Sequence, residues 1–97
     1  MSGNIPAEVG RMALSRAGRD RGRYFMITQV VDDQYVMIAD GVVRKLANPK
    51  KKKLKHLSLK PLVLEGIAEK LQTGTKVFDA ELKSAIINTG LIVQKEE

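Results

Sequence analysis

The chain predicts a mainly β protein: a small antiparallel barrel followed by a short α-helical C-terminal extension. Short apolar runs of strand length alternate with Gly-, Asp- and Asn-containing turns up to about residue 60. Beyond Pro61 the spacing of apolar residues lengthens to that of a helix. With 97 residues, two Phe, two Tyr and no Trp, the chain can bury only a modest, largely aliphatic core. The expected division is a barrel over 1–62 and a mixed, partly helical extension over 63–97 that packs on it.

Val9 to Ser15 reads as the first strand, with Met12 and Leu14 on one face and Arg11 and Ala13 on the other. A tight loop, Ala17-Gly18-Arg19-Asp20-Arg21-Gly22-Arg23, follows. Arg23 to Val31 is the strongest strand signal. Phe25, Ile27 and Val31 share one face, and Tyr24, Met26, Thr28 and Val30 share the other. Both faces are apolar enough to place this strand centrally. Asp32-Asp33-Gln34 reads as a turn and Gln34 to Ala39 as a third strand. Asp40-Gly41 has the composition of a two-residue hairpin turn, leading to a fourth strand over Val42 to Leu46. Asn48-Pro49 breaks the pattern. Lys50 to Lys53 then reads as an exposed run, Leu54 to Leu57 as a single helical turn, and Leu57 to Leu59 as a short last strand.

In the extension, Leu62 to Gln72 reads as a helix, with Val63, Ile67 and Leu71 on one face. Gly66 weakens it by about 1 kcal/mol relative to alanine. Asp79 fits an N-cap and Gly90 a C-terminal stop. Leu82, Ala85 and Ile86 form the apolar stripe between them. Leu91-Ile92-Val93 is either a short strand or a segment packed back on the barrel, and Glu96-Glu97 is expected to fray.

Charge is distributed unevenly. Residues 1–60 hold 13 Lys/Arg against 5 Asp/Glu, a net of +8; residues 61–97 hold 4 against 6, a net of −2. A basic module beside a mildly acidic one favours a polyanionic partner for the first. The loop over 17–23 has two glycines, which permit close backbone approach, and three arginines, whose forked guanidinium groups suit phosphate. A turn requires the glycines but not Arg19, Arg21 and Arg23. The second basic segment, Lys50, Lys51, Lys52 and Lys53 with Lys55 and His56, carries charge that attracts phosphate without reading bases. Arg44 and Lys45 extend it. The His56 side chain fits a packing or hydrogen-bonding role better than ligation.

Catalysis finds no support in these residues. One histidine, no cysteine and scattered carboxylates supply neither a nucleophile–base pair nor metal-ligand spacing, and no phosphate-binding loop of the P-loop type is present. No cofactor, metal or small-molecule substrate is expected. The absence of cysteine fits a reducing compartment. With neither a signal pattern in Met1 to Pro6 nor an apolar run of membrane-spanning length, the expected setting is the cytoplasm, away from membranes.

Gly10-Arg11, Ala17-Gly18-Arg19-Asp20, Gly22-Arg23, Ile27 and Val30-Val31-Asp32 together resemble the KOW motif, a short RNA-binding segment of ribosomal proteins and transcription factors. Tyr35-Val36-Met37-Ile38-Ala39-Asp40-Gly41 and the basic run ending Lys53-Leu54-Lys55-His56-Leu57 narrow the likeness. Over residues 7–60 the chain resembles the large-subunit ribosomal protein family fourteen-e. That resemblance implies an SH3-like barrel and docking on large-subunit ribosomal RNA, with neighbouring ribosomal proteins as further partners. The RNA-binding residues expected on this basis are Arg11, Arg16, Gly18, Arg19, Arg21, Gly22, Arg23, Arg44, Lys45, Lys50, Lys51, Lys52, Lys53, Lys55 and His56. Two other readings remain open: a transcription-linked KOW module, and an SH3-like adaptor for peptides. The first ordinarily accompanies a polymerase-binding domain. The second needs an aromatic-lined groove, and this chain has four aromatic residues, Tyr24, Phe25, Tyr35 and Phe78.

Overall fold

The structure, a computed structural model, describes residues 5–92. Five strands form one antiparallel sheet: β1 (Arg11–Ser15), β2 (Tyr24–Val30), β3 (Tyr35–Ala39), β4 (Lys50–Lys53) and β5 (Leu57–Val63). Their order is β4-β3-β2-β1-β5, with a single 3₁₀ turn (Leu54–His56) joining the two edge strands. Helices α1 (Glu65–Thr73) and α2 (Asp79–Asn88) follow. The protein is thus mainly β, in the barrel-like arrangement that the sequence predicts.

Burial of the sheet on both faces follows from the alternation along its strands. On one side Ala13, Phe25, Ile27, Val36 and Ile38 meet Leu57 in the concave interior. On the other, Met12, Met26 and Ala39 meet Ile67, Val77, Leu82 and Ile86, contributed by the helices and the segment between them. Phe25, Met26 and Ile27 are successive and all fully buried, as a central strand covered on both faces requires. Each such side chain contributes roughly 1.5–3 kcal/mol by leaving water. A bulge between Ile27 and Gln29 shifts the pairing with β3. Val30 and Val31, beyond it, are exposed.

The structure differs from expectation at four places. Val42 to Leu46 is not a strand, and Asp40-Gly41 is not a two-residue hairpin turn. The Asp40 Oδ1 accepts the N–H groups of Val42, Val43 and Arg44 at 2.9, 3.0 and 2.9 Å. Donors captured in succession by one carboxylate are lost to a sheet ladder. Nor is Lys50 to Lys53 a loop: it is β4, paired with Tyr35 to Ile38 of β3. The last strand runs to Val63, past the expected Leu59, so the first helix starts at Glu65 and not at Leu62. Asp79 is the first residue of α2 and does not cap it; its Oδ1 instead accepts the Leu46 N–H at 2.8 Å. Gly90 does adopt positive φ, just beyond the end of α2. Leu91 packs against the core under the helices. Val93, Glu96 and Glu97 lie outside the described residues, as do Met1 to Asn4. Among the described residues no helix is long and apolar enough to cross a membrane.

Candidate nucleic-acid interface

The connection between β1 and β2 is shaped by its own backbone bonds. The Gly22 N–H donates to Ser15 O at 2.8 Å, Arg21 N–H to Gly18 O at 3.2 Å, and Arg23 N–H to Asp20 O at 3.0 Å. Gly18 and Gly22 have φ of 80° and 89°, in the left-handed region that favours glycine. Among the described residues no backbone carbonyl accepts from Gly18, Arg19 or Asp20. The amide groups of the exposed Gly18 and Arg19 are thus left to solvent or to an anion, whereas Asp20 is 7% exposed. The side chains of Arg19 and Arg21 are exposed and form no ion pair among the described residues.

The two basic segments, well separated in sequence, meet in space. Lys52 faces the barrel interior beside Val36, and its Nζ reaches out to donate to Ala17 O at 3.0 Å. Arg16 N–H donates to His56 O at 2.9 Å, and Arg16 Nη2 to Lys55 O at 3.1 Å. These bonds dock residues 16–18 on β4 and the turn after it. Lys51 and Lys53 project from the opposite face of β4. Their Nζ atoms lie 4.8 and 5.7 Å from the centre of the Tyr35 ring. This cation–aromatic contact holds both ammonium groups beside one ring.

A second pair of contacts ties the arginine loop to the segment after β3. Arg23 Nη2 donates to Asp40 Oδ2 at 3.3 Å. In exchange, Arg44 donates from Nε to Asp20 Oδ2 at 3.1 Å, and its Nη2 lies at ion-pair distance, 3.1 Å, from the same oxygen. Each segment therefore gives the other one arginine and one nearly buried carboxylate. The aspartates consume charge on Arg23 and Arg44 while fixing where Arg19 and Arg21 emerge. Asp32, in the turn before β3, accepts the N–H groups of Gln34 and Tyr35 at 2.8 Å each. Those bonds, the largest influence on it, hold its carboxyl below the ordinary value of 3.8.

The residues expected from sequence divide as follows. Arg16, Gly18, Arg19, Arg21 and Gly22 lie on one of the joined segments and Lys51, Lys53 and Lys55 on the other, with Lys51 and Lys53 on the outer face of β4 beside Tyr35. His56 is half-buried in the turn after β4, Lys50 begins β4, and Lys45 is exposed in the segment after β3. Arg23 and Arg44 adjoin them but are ion-paired. Lys52 is 8% exposed and spends its charge inside the protein. Arg11 stands apart from the group. It is 7% exposed, and its guanidinium donates to Pro6 O, Lys60 O and the Glu8 carboxylate. Sequence reading missed Tyr35 as the partner of the lysines and Asp40 as the organiser of the loop. The alternation of Lys51 and Lys53 opposite Tyr35 becomes a signal only once β4 is recognised as a strand.

A small basic β-domain whose two cationic segments dock on each other is what fold and site define. Similar curated proteins are large ribosomal subunit protein eL14 of Hyperthermus butylicus and of Staphylothermus marinus. The first is 32% identical over 94 residues, 91% of this chain and 84% of the relative. The second is 31% identical over 93 residues, 90% of this chain and 84% of the relative. No protein-family model matches the chain. At this identity and coverage the chain belongs to the eL14 family of large ribosomal subunit proteins.

Proposed function

We propose that this protein binds large-subunit ribosomal RNA through the joined basic face and serves as a component of that subunit. The docking of residues 16–18 on β4 carries the reading. It brings the loop that carries Arg19 and Arg21, with the amide groups of Gly18 and Arg19, beside β4 and Lys55, while Lys51 and Lys53 add charge on the outer face of β4. Arg19 and Arg21 supply forked contacts to phosphate, the amides supply short dipolar ones, and the lysines supply charge. Four aromatics leave little scope for a stacking platform, so the main recognition is of folded RNA by shape and backbone. Family membership favours the ribosome over a transcription complex. The mildly acidic helical side suits contact with neighbouring proteins of the subunit.

The test is a salt titration of RNA affinity. Each phosphate contact removed lowers the slope of log affinity against log salt by about 0.7–0.9. Arg19→Ala with Arg21→Ala should therefore flatten the slope by about 1.4–1.8 while unfolding stays unchanged. Wild-type slope and affinity in that double variant would contradict the assignment.

A further inference from the structure

We infer that the groove beside the arginine loop receives one unpaired nucleotide of the bound RNA. The inference rests on the RNA-binding reading above and adds a base-sized site to it. The groove measures about 460 Å³ and lies between Gly22–Arg23 at the end of the loop, Val42 in the segment after β3, and the C-terminal half of α2. Its apolar surface comes from Ile86, which is buried, from Leu91, and from Ile87, Ile92 and Val42, which are 37%, 38% and 42% exposed. The half-buried ring of Tyr24 adds an aromatic surface.

Charge decides which occupant fits. Two cations, Arg23 and Lys83, line the groove together with one carboxylate, Asp40. That carboxylate is already satisfied: one oxygen accepts three backbone N–H groups and the other accepts Arg23. Lys83 takes part in no ion pair among the described residues. An apolar cleft with an aromatic wall and spare positive charge matches a flat base attached to a phosphate. A purely apolar protein side chain would leave that charge without a counterpart. The groove also begins where the proposed phosphate-binding loop ends, so a strand held at Arg19 and Arg21 passes its mouth. In duplex RNA the bases are stacked and present only their edges along the grooves, so a nucleotide whose base enters the cleft must be unpaired.

The test compares a fully paired RNA hairpin with four others that each carry a single bulged A, C, G or U. Binding to the full chain is followed through isoleucine methyl and backbone amide resonances. The expected result is a shift of the Ile87 methyl with at least one bulged hairpin and none with the paired one. That hairpin should bind at least about fivefold more tightly than the paired one, the scale of one stacked base. Ile87→Gln, and independently Val42→Gln, should abolish the preference while leaving affinity for the paired hairpin unchanged; both positions are exposed and neither change alters charge. If all four bulged hairpins leave the Ile87 methyl unmoved while the Arg19 and Arg21 amides respond, the groove assignment falls and the RNA-binding reading stands. If those amides respond to no RNA, both fall.

Discussion

The ammonium of Lys52 donates to the carbonyl of Ala17 at 3.0 Å across 35 residues of chain. This bond seats the arginine loop on β4. Because Lys52 is nearly buried, its role is to assemble the face; the lysines on either side of it remain outside. Lys52→Met keeps most of the apolar stem and removes the charged donor. It should lower unfolding stability by about 1–2 kcal/mol in urea denaturation. Unchanged stability would show that the loop is held by other contacts.

Arginines of the face should separate by role. Arg44 lies against a nearly buried carboxylate, whereas Arg19 and Arg21 reach solvent. Arg44→Ala leaves Asp20 without its partner and should lower stability by about 1–3 kcal/mol. Arg19→Ala and Arg21→Ala should leave the thermal midpoint unchanged and weaken RNA binding. Paired thermal melts and RNA titrations check the division, and a destabilised Arg19→Ala variant would contradict it.

Two glycines of similar backbone conformation should differ sharply in tolerance. Gly22 and Gly41 have φ of 89° and 81°. A methyl at Gly22 meets nothing within 4 Å, whereas one at Gly41 would lie 2.4 Å from the Asp79 carbonyl oxygen at the start of α2. Gly22→Ala should cost about 1–2 kcal/mol, the strain of left-handed backbone alone. Gly41→Ala should cost roughly 2 kcal/mol more, because α2 must move off the loop. Equal losses in chemical denaturation would show that α2 yields freely.

Acid should erase the contribution of Asp32. Its folded-state carboxyl titrates below the ordinary value of 3.8, so its stabilisation is complete above that value. It disappears as pH falls through the lower, folded-state value. Asp32→Ala should therefore melt below the wild type by a constant margin at higher pH, and the margin should close only at more acidic pH than the ordinary carboxylate range. A margin that persists in strong acid would assign the turn's stability to something other than the ionised carboxylate.

Much of the sheet was legible because β2 carries apolar side chains on both faces, a pattern that only a central strand satisfies. The outer part of the sheet was not. Val42 and Val43 have strand-like side chains, but Asp40 takes their N–H groups, and both remain exposed. Lys50 to Lys53 reads as a solvated run because lysine is rarely buried. Pairing with β3 and an internal carbonyl for Lys52 supply what composition does not reveal. In the candidate site, the left-handed backbone of Gly18 and Gly22 and the exposure of Arg19 and Arg21 were legible from residue type alone. The exchange of arginines with Asp20 and Asp40 was not, since it depends on loops brought together by the fold.

Sedimentation of native lysate through sucrose gradients, at low and high salt and with an RNase-treated control, tests the central claim most directly. A component of the large subunit should travel with it at both salt concentrations and leave those fractions when the RNA is digested. Co-migration at low salt alone, or absence from the subunit in every gradient, would contradict the account.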